Sequence, residues 1–270
     1  TLNGTNTFSG GLVVNGGGLL LGNSSALGTG LLDINNAATL DTSSALTLGN
    51  DVIIGAAGSL NVLGGNALTL GGAISGGGGL IKSGASTLTL NGANTFTGGL
   101  NVAAGTVALG SGGSLAATGA VSLSGAGAAL DLSLGGNQTI GALSGVAGST
   151  VALGGNTLTF GSAADQVFAG VISGVGGGLV KNGRGVQTLT GANTFTGGVA
   201  LNAGGLLLGN SGALGTGALS VNGAATLDGS SALTLGNAVN LGAALTLGGS
   251  NNITLTGETD INGMAFNSTA

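Results

Sequence analysis

Residues 80–99 read LIKSGASTLTLNGANTFTGG. Within them, Thr87-Leu88-Thr89-Leu90 alternates a large apolar residue with a small polar one, and Ser, Asn and Gly bound the run. Period-two alternation between turn residues is the pattern of a short, half-buried β-strand. The same pattern recurs at Leu46-Thr47-Leu48, Leu68-Thr69-Leu70 and Val107-Ala108-Leu109. The strand centres Thr47, Thr69, Thr89 and Ala108 lie 22, 20 and 19 residues apart. Three short strands plus their turns fill one coil of that length, so these four positions are expected to stack on one face of a β-helix. Each coil turns Leu, Val and Ile inward and hydrogen-bonds to the next at about 4.8 Å along the axis. Eleven or twelve such coils would make a rod on the order of 55 Å long.

Helical spacing is nowhere sustained. Of 270 residues, 63 are glycine, and each glycine inside a helix costs about 1 kcal/mol relative to alanine. At the corners of coils the same glycines supply the backbone freedom that tight bends need. The chain therefore reads as all-β.

Longer self-matches frame this unit. Asn-Thr-Phe-(Ser/Thr)-Gly-Gly occurs at Asn6–Gly11, Asn94–Gly99 and Asn193–Gly198. Leu12–Asn50 matches Val199–Asn237 without a gap, sharing LLLGN, ALGTG, AATLD and SSALTLGN, and Leu80–Gly99 matches Leu179–Gly198. The whole of 1–270 reads as a single β-helical repeat segment with long repeats of about 3–90, 91–189 and 190–270. One strand departs from the pattern. Val186-Gln187-Thr188-Leu189 places Gln187 where the other copy has Leu88. A local shift of the strand is expected there, because an unpaired buried amide costs roughly 1–3 kcal/mol.

The run I-S-G, glycines, L-(I/V)-K, G, T-L-T, G-A-N-T-F-T-G-G spans Ile74–Gly99 and, with Val186-Gln187-Thr188-Leu189 in place of the T-L-T strand, recurs from Ile172 to Gly198. It resembles the autotransporter-associated β-strand repeat, also called the passenger-associated transport repeat, of type V secretion passenger domains. The resemblance implies a right-handed parallel β-helix, exported through the outer membrane of a Gram-negative bacterium and displayed on, or released from, the cell surface. It also implies a translocator β-barrel elsewhere in the full chain. Thr1-Leu2-Asn3 aligns with Thr89-Leu90-Asn91, so the segment is expected to be an internal part of a longer protein.

Composition narrows the chemistry. The chain has no Cys, His, Pro, Trp or Tyr, and eight carboxylates stand against only Lys82, Lys181 and Arg184. A thiolate nucleophile and the side chain that ordinarily titrates near neutral pH are both missing. Without a basic stripe, nucleic acid is not an expected partner. No run reaches the roughly 18 consecutive apolar residues of a spanning helix, and six Phe with no Tyr or Trp do not make the aromatic girdles of a membrane barrel. Membrane insertion by this segment is not expected. Hydrophobic residues at 42% are too many for a disordered linker.

No catalytic, cofactor-binding or metal-binding residue is assigned, no cofactor is expected, and the chain is not expected to be an enzyme. The best candidate for polysaccharide chemistry is Asp165 with Lys181 and Arg184, 16 to 19 residues apart and so on neighbouring coils; a solvated ion pair accounts for it equally well. Lys82 in the sister repeat lacks matching partners in sequence. Asp41, Asp131 and Asp228 read as turn residues that accept local N–H groups. Glu258 with Asp260 is too thin for a metal site. Phe8, Phe96 and Phe195 share one repeat position and read as core plugs. Thr-Leu-Thr pairs at Thr87/Thr89, Thr157/Thr159, Thr188/Thr190 and Thr254/Thr256 do not recur once per coil, so an ice-binding array is not encoded. Acceptor sequons stand at Asn3, Asn23, Asn137, Asn252 and Asn267. The expected role is structural and adhesive, with a host or neighbouring-cell surface, or copies of the chain itself, as partner. A β-helical enzyme and a passive export scaffold are the alternatives.

Overall fold

A computed structural model describes residues 1–263 and the strand Phe266–Ser268; the sequon that begins at Asn267 ends at residue 269, outside the described residues. The described residues form strands, turns and bends with no helix. Parallel strands stack as a β-solenoid of about 12 turns in the whole chain. Two compact units divide it, Thr1–Gly136 and Asn137–Ala270. The boundary falls inside the second long repeat rather than between repeats.

The strands of the first unit stack in three sheets, and the coils between Leu32 and Leu90 visit all three. Sheet I stacks Leu12–Val14, Leu32–Ile34, Val52–Ile54 and Ile74–Ser75. Sheet II stacks Gly17–Leu21, Ala37–Thr42, Ser59–Val62, Gly79–Lys82, Leu100–Val102 and Val121–Leu123. Sheet III stacks Leu46–Leu48, Leu68–Leu70, Thr87–Leu90, Thr106–Leu109 and Ala129–Asp131. Thr47, Thr69, Thr89 and Ala108 are register partners in one outward column, as the 20-residue spacing requires. Their neighbours Leu48, Leu70, Leu88, Leu90, Val107 and Leu109 are buried. The alternation in sequence thus maps onto inside and outside.

The second unit repeats the plan. Sheet IV contains Gln138–Thr139, Thr157–Gly161, Gly178–Asn182, Val199–Leu201, Leu219–Val221, Val239–Leu241 and Thr259–Asp260. Sheet V contains Leu143–Gly145, Gln166–Phe168, Val186–Leu189, Gly204–Leu208, Ala225–Gly229, Leu245–Leu247 and Phe266–Ser268. The third side is shorter, with Thr150–Ala152 on Val171–Ser173 and Leu233–Leu235 on Ile253–Leu255.

The expected shift at Gln187 does not occur. Val186–Leu189 keeps register with both neighbours, Gln187 pairing with Gln166 and Leu206. The amide is buried, and its Nε2 donates to Thr188 O at 3.3 Å. A one-residue slip would turn Leu189 outward along with every other side chain of the strand, so holding register costs less than freeing the amide.

Candidate functional site

The Asn-Thr-Phe phrase is tied to its neighbours by both side-chain and main-chain hydrogen bonds. Asn94 Oδ1 accepts the main-chain N–H of Ile74 at 2.9 Å, while its Nδ2 donates to Gly92 O at 2.9 Å and Ser114 O at 2.8 Å. Asn193 repeats this, accepting from Ile172 N at 2.7 Å and donating to Ala213 O at 2.6 Å. Ile74 and Ser114 each lie 20 residues from Asn94, so one buried amide ties together three successive coils. Around it the main chain is laddered to the same neighbour: Thr95 N to Ile74 O, Thr97 N to Gly76 O and Gly98 N to Gly78 O in one copy. Thr194 N to Ile172 O, Thr196 N to Gly174 O and Gly197 N to Gly177 O do so in the other. The I-S-G strand and the N-T-F phrase are therefore one motif folded back on itself, stacked a coil apart.

The phrase also fills the interior. Phe96 and Phe195 are buried, whereas Phe8, in the first coil, is 39% exposed. The second glycine of each copy has positive φ: 81° at Gly11, 87° at Gly99 and 84° at Gly198. Only glycine adopts this conformation without strain.

Within the first unit the two copies occupy different sides. Asn6 N bonds Ser25 O, and the neighbouring Ser24 hydroxyl accepts Thr47 N, which places the first copy in the stack of sheet III. Thr95 N bonds Ile74 O, which places the second over sheet I. The spacing of 88 residues is four coils plus about a third, so the repeat re-enters one side further round.

Both L-(I/V)-K strands hide their lysine. Lys82 and Lys181 are 0% and 2% exposed, on inward positions beside Val62 and Val102, and beside Phe160 and Leu201. Lys82 Nζ donates to Gly84 O. Lys181 Nζ donates to Asn182 O at 2.8 Å, Gly183 O at 3.0 Å and Ala203 O at 3.3 Å, so it spans two coils. Burial pushes both ammonium groups below the usual lysine value of 10.5, and one carboxylate opposes this in each case, Asp41 for Lys82 and Asp165 for Lys181. Lys82 thus does have an acidic neighbour, which its sequence surroundings hid because Asp41 stands two coils away. Period two counted from Leu80 puts Ile81 outward and Lys82 inward, a signal present in the sequence.

Stability should therefore rise with pH in the alkaline range. Between the lowered folded-state value and 10.5 the unfolded chain binds more protons, so each step up in pH favours the fold; below that window the burial penalty is present in full. No Tyr or Cys titrates nearby. Urea midpoints measured from pH 8.5 to 11 should climb for the parent and stay level for a Lys82→Met/Lys181→Met double variant; a level parent profile would refute this reading.

Asp165, Lys181 and Arg184 are not gathered into one exposed cluster. Asp165 and Arg184 are exposed, Lys181 faces inward, and Asp165 Oδ1 accepts Val186 N at 2.8 Å. Asp41, Asp131 and Asp228 lie in strands rather than turns: Asp41 Oδ1 accepts Thr42 N and, from the next coil, Gly65 N; Asp131 Oδ1 accepts Ser133 N; and Asp228 accepts Gly229 N and the Ser250 hydroxyl of the next coil. Asp260 accepts Asn262 N at 3.0 Å, and no group of three or more potential metal ligands occurs among the described residues. An exposed amide ladder runs along one corner of the second unit, Asn222 Nδ2 to Asn202 Oδ1 at 3.0 Å and Asn202 Nδ2 to Asn182 Oδ1 at 2.9 Å.

Concavities follow the repeat too. A shallow groove of about 390 Å³ lies over Ile81 and Asn101 beside Gly79, Gly98 and Gly99. Its counterpart of about 200 Å³ lies over Val180 and Ala200 beside Gly178, Gly197 and Gly198. Both are floored by main chain and small side chains where the phrase glycines carry nothing outward. No ionisable side chain lines either one.

The family model described as passenger-associated-transport-repeat matches residues 1–21, 80–109 and 179–208. Three regions of the chain are thus similar to that repeat, the first over 21 residues and the other two over 30 each. Each match ends on the strands that follow an Asn-Thr-Phe phrase, and the second and third begin at the strand of a buried lysine. The repeat and the solenoid together fit a passenger-like β-helix. No curated protein and no solved structure matches the chain.

Proposed function

We propose that this chain is a structural and adhesive passenger region, exported to the surface of a Gram-negative bacterium, that contacts other cell surfaces or copies of itself and performs no chemistry. What supports this is the character of its outward columns. Thr47-Thr69-Thr89-Ala108 and Ala200-Ser220-Asn240 set small, neutral side chains at strand spacing. Of the three Lys and Arg side chains only Arg184 is exposed. Such faces carry little repulsion to keep neighbouring surfaces apart.

Anchored on a non-adherent Gram-negative strain, the segment should increase attachment or clumping, and Asp165→Asn with Arg184→Gln should leave that increase unchanged. A passive scaffold would produce no increase. In solution, sedimentation velocity should show association that grows with concentration at ordinary salt. A strict monomer at high concentration would remove self-contact from the reading.

A further inference from the structure

The duplicated stretch offers an internal control. Leu12–Asn50 and Val199–Asn237, with the strands that follow them, keep apolar residues at the inward strand positions and build the same register: Val13-Asp33-Ile53 is the outward column of sheet I, and Ala200-Ser220-Asn240 is its counterpart in sheet IV. The outward residues differ between them. Val13, Leu31, Asp33, Asp51 and Ile53 in the first copy stand where the second has Ala200, Ala218, Ser220, Ala238 and Asn240. Val13 is 57% exposed, Leu31 42% and Ile53 37%. The fold does not need large apolar groups here, because the second copy builds the same strands with small ones.

We infer that the outer face of sheet I is an interaction surface for a basic, apolar protein segment, aliphatic side chains seating on Val13, Leu31 and Ile53 and Lys or Arg groups meeting Asp33 and Asp51. Charge selects this occupant. The first unit holds four carboxylates, and its one Lys or Arg side chain, Lys82, is buried. A second copy of the chain has only Arg184 exposed to offer, and it lies outside the first unit, so pairing this face with the same face of another copy sets carboxylates against carboxylates with no exposed Lys or Arg of that unit to offset them. Apolar contact supplies affinity, while opposed charge speeds encounter and excludes acidic partners. This inference narrows the adhesive reading to one partner chemistry and rests on it.

The test transplants the second copy's residues into the first: Val13→Ala, Leu31→Ala, Asp33→Ser, Asp51→Ala and Ile53→Asn together. Melting curves establish that the variant folds. The probe is a fluorescent peptide of four-residue Leu-Lys-Lys-Leu units, with a Glu-for-Lys and a Ser-for-Leu version as controls, read by anisotropy against the 270-residue chain. The Leu/Lys peptide should bind the parent, and the transplant should weaken it about tenfold or more, a loss typical of removing central interface anchors. The reverse transplant, Ala200→Val, Ala218→Leu, Ser220→Asp, Ala238→Asp and Asn240→Ile, should add a second site. Undiminished binding to the first transplant, or equal binding of either control peptide, overturns the inference. So does a loss of self-association in the first transplant, which would make the face a contact between copies. Cell attachment is scored separately: peptide binding that depends on these residues, with no attachment by the parent, would sink the adhesive reading while leaving the surface in place.

Discussion

Asn193→Ala is expected to lower stability by about 2–5 kcal/mol, far more than the same change at Asn6. The amide of Asn193 is buried and serves two main-chain groups on opposite sides, the N–H of Ile172 and the carbonyl of Ala213. Alanine leaves both without a partner in a place water does not reach, at about 1–3 kcal/mol for each. Asn94→Ala should behave alike, since Asn94 holds Ile74, Gly92 and Ser114. Asn6 is half-buried and makes a single side-chain bond, to Ala26 O at 2.7 Å, so its loss should cost about 1 kcal/mol. Coils contact only their neighbours, so damage in a solenoid is local before it is global. Hydrogen exchange should accelerate first at Ile172 and in the coil carrying Ala213, with urea unfolding confirming the size of the effect. Equal losses at Asn6 and Asn193 would show that the phrase does not act as a tie between coils.

Sheet stacking was legible because period and spacing are separate signals that agree. Alternation in Leu68-Thr69-Leu70 says which side chains go in, and an interval near 20 residues says which strands meet. What stayed hidden depends on relations between coils. Asp41 approaches Lys82 only because Leu40, Val62 and Lys82 share a column two coils deep. Gln187 stays inward because its register is held from both sides, a constraint absent from local composition. The turn of the phrase from one side of the first unit to another comes from a repeat length that is not a whole number of coils. Spacing alone groups Asp165, Lys181 and Arg184, whereas the period-two alternation from Leu179 puts Lys181 on an inward position, away from the two exposed charges. The face of sheet I could have been found by subtracting one copy of the duplicate from the other and asking which differences alternate outward.

Gly197→Ala and Gly98→Ala are each expected to destabilise the fold by about 3 kcal/mol, while Gly10→Ala, at the same place in the phrase, should be close to neutral. None of the three has positive φ, so a turn requirement cannot separate them. Space does. A methyl group on Gly197 would lie 2.5 Å from Gly176 O and 2.7 Å from Gly177 O, and one on Gly98 would lie 2.4 Å from the carbonyl carbon of Gly78. Each obstacle is main chain of the coil beneath, which cannot rotate away. Nothing lies within 4 Å of the same position on Gly10. Overpacking against a fixed neighbour costs about 1–3 kcal/mol and sometimes more, and here it would also pull apart the bonds from Gly197 N to Gly177 O and from Gly98 N to Gly78 O. The glycine run after I-S-G is the other half of this contact, since Gly78 and Gly177 must lie flat for the phrase to settle on them. If Gly10→Ala proves as damaging as Gly197→Ala, the glycine serves the phrase's own conformation; if only the stacked copies suffer, it serves the approach of one coil to the next.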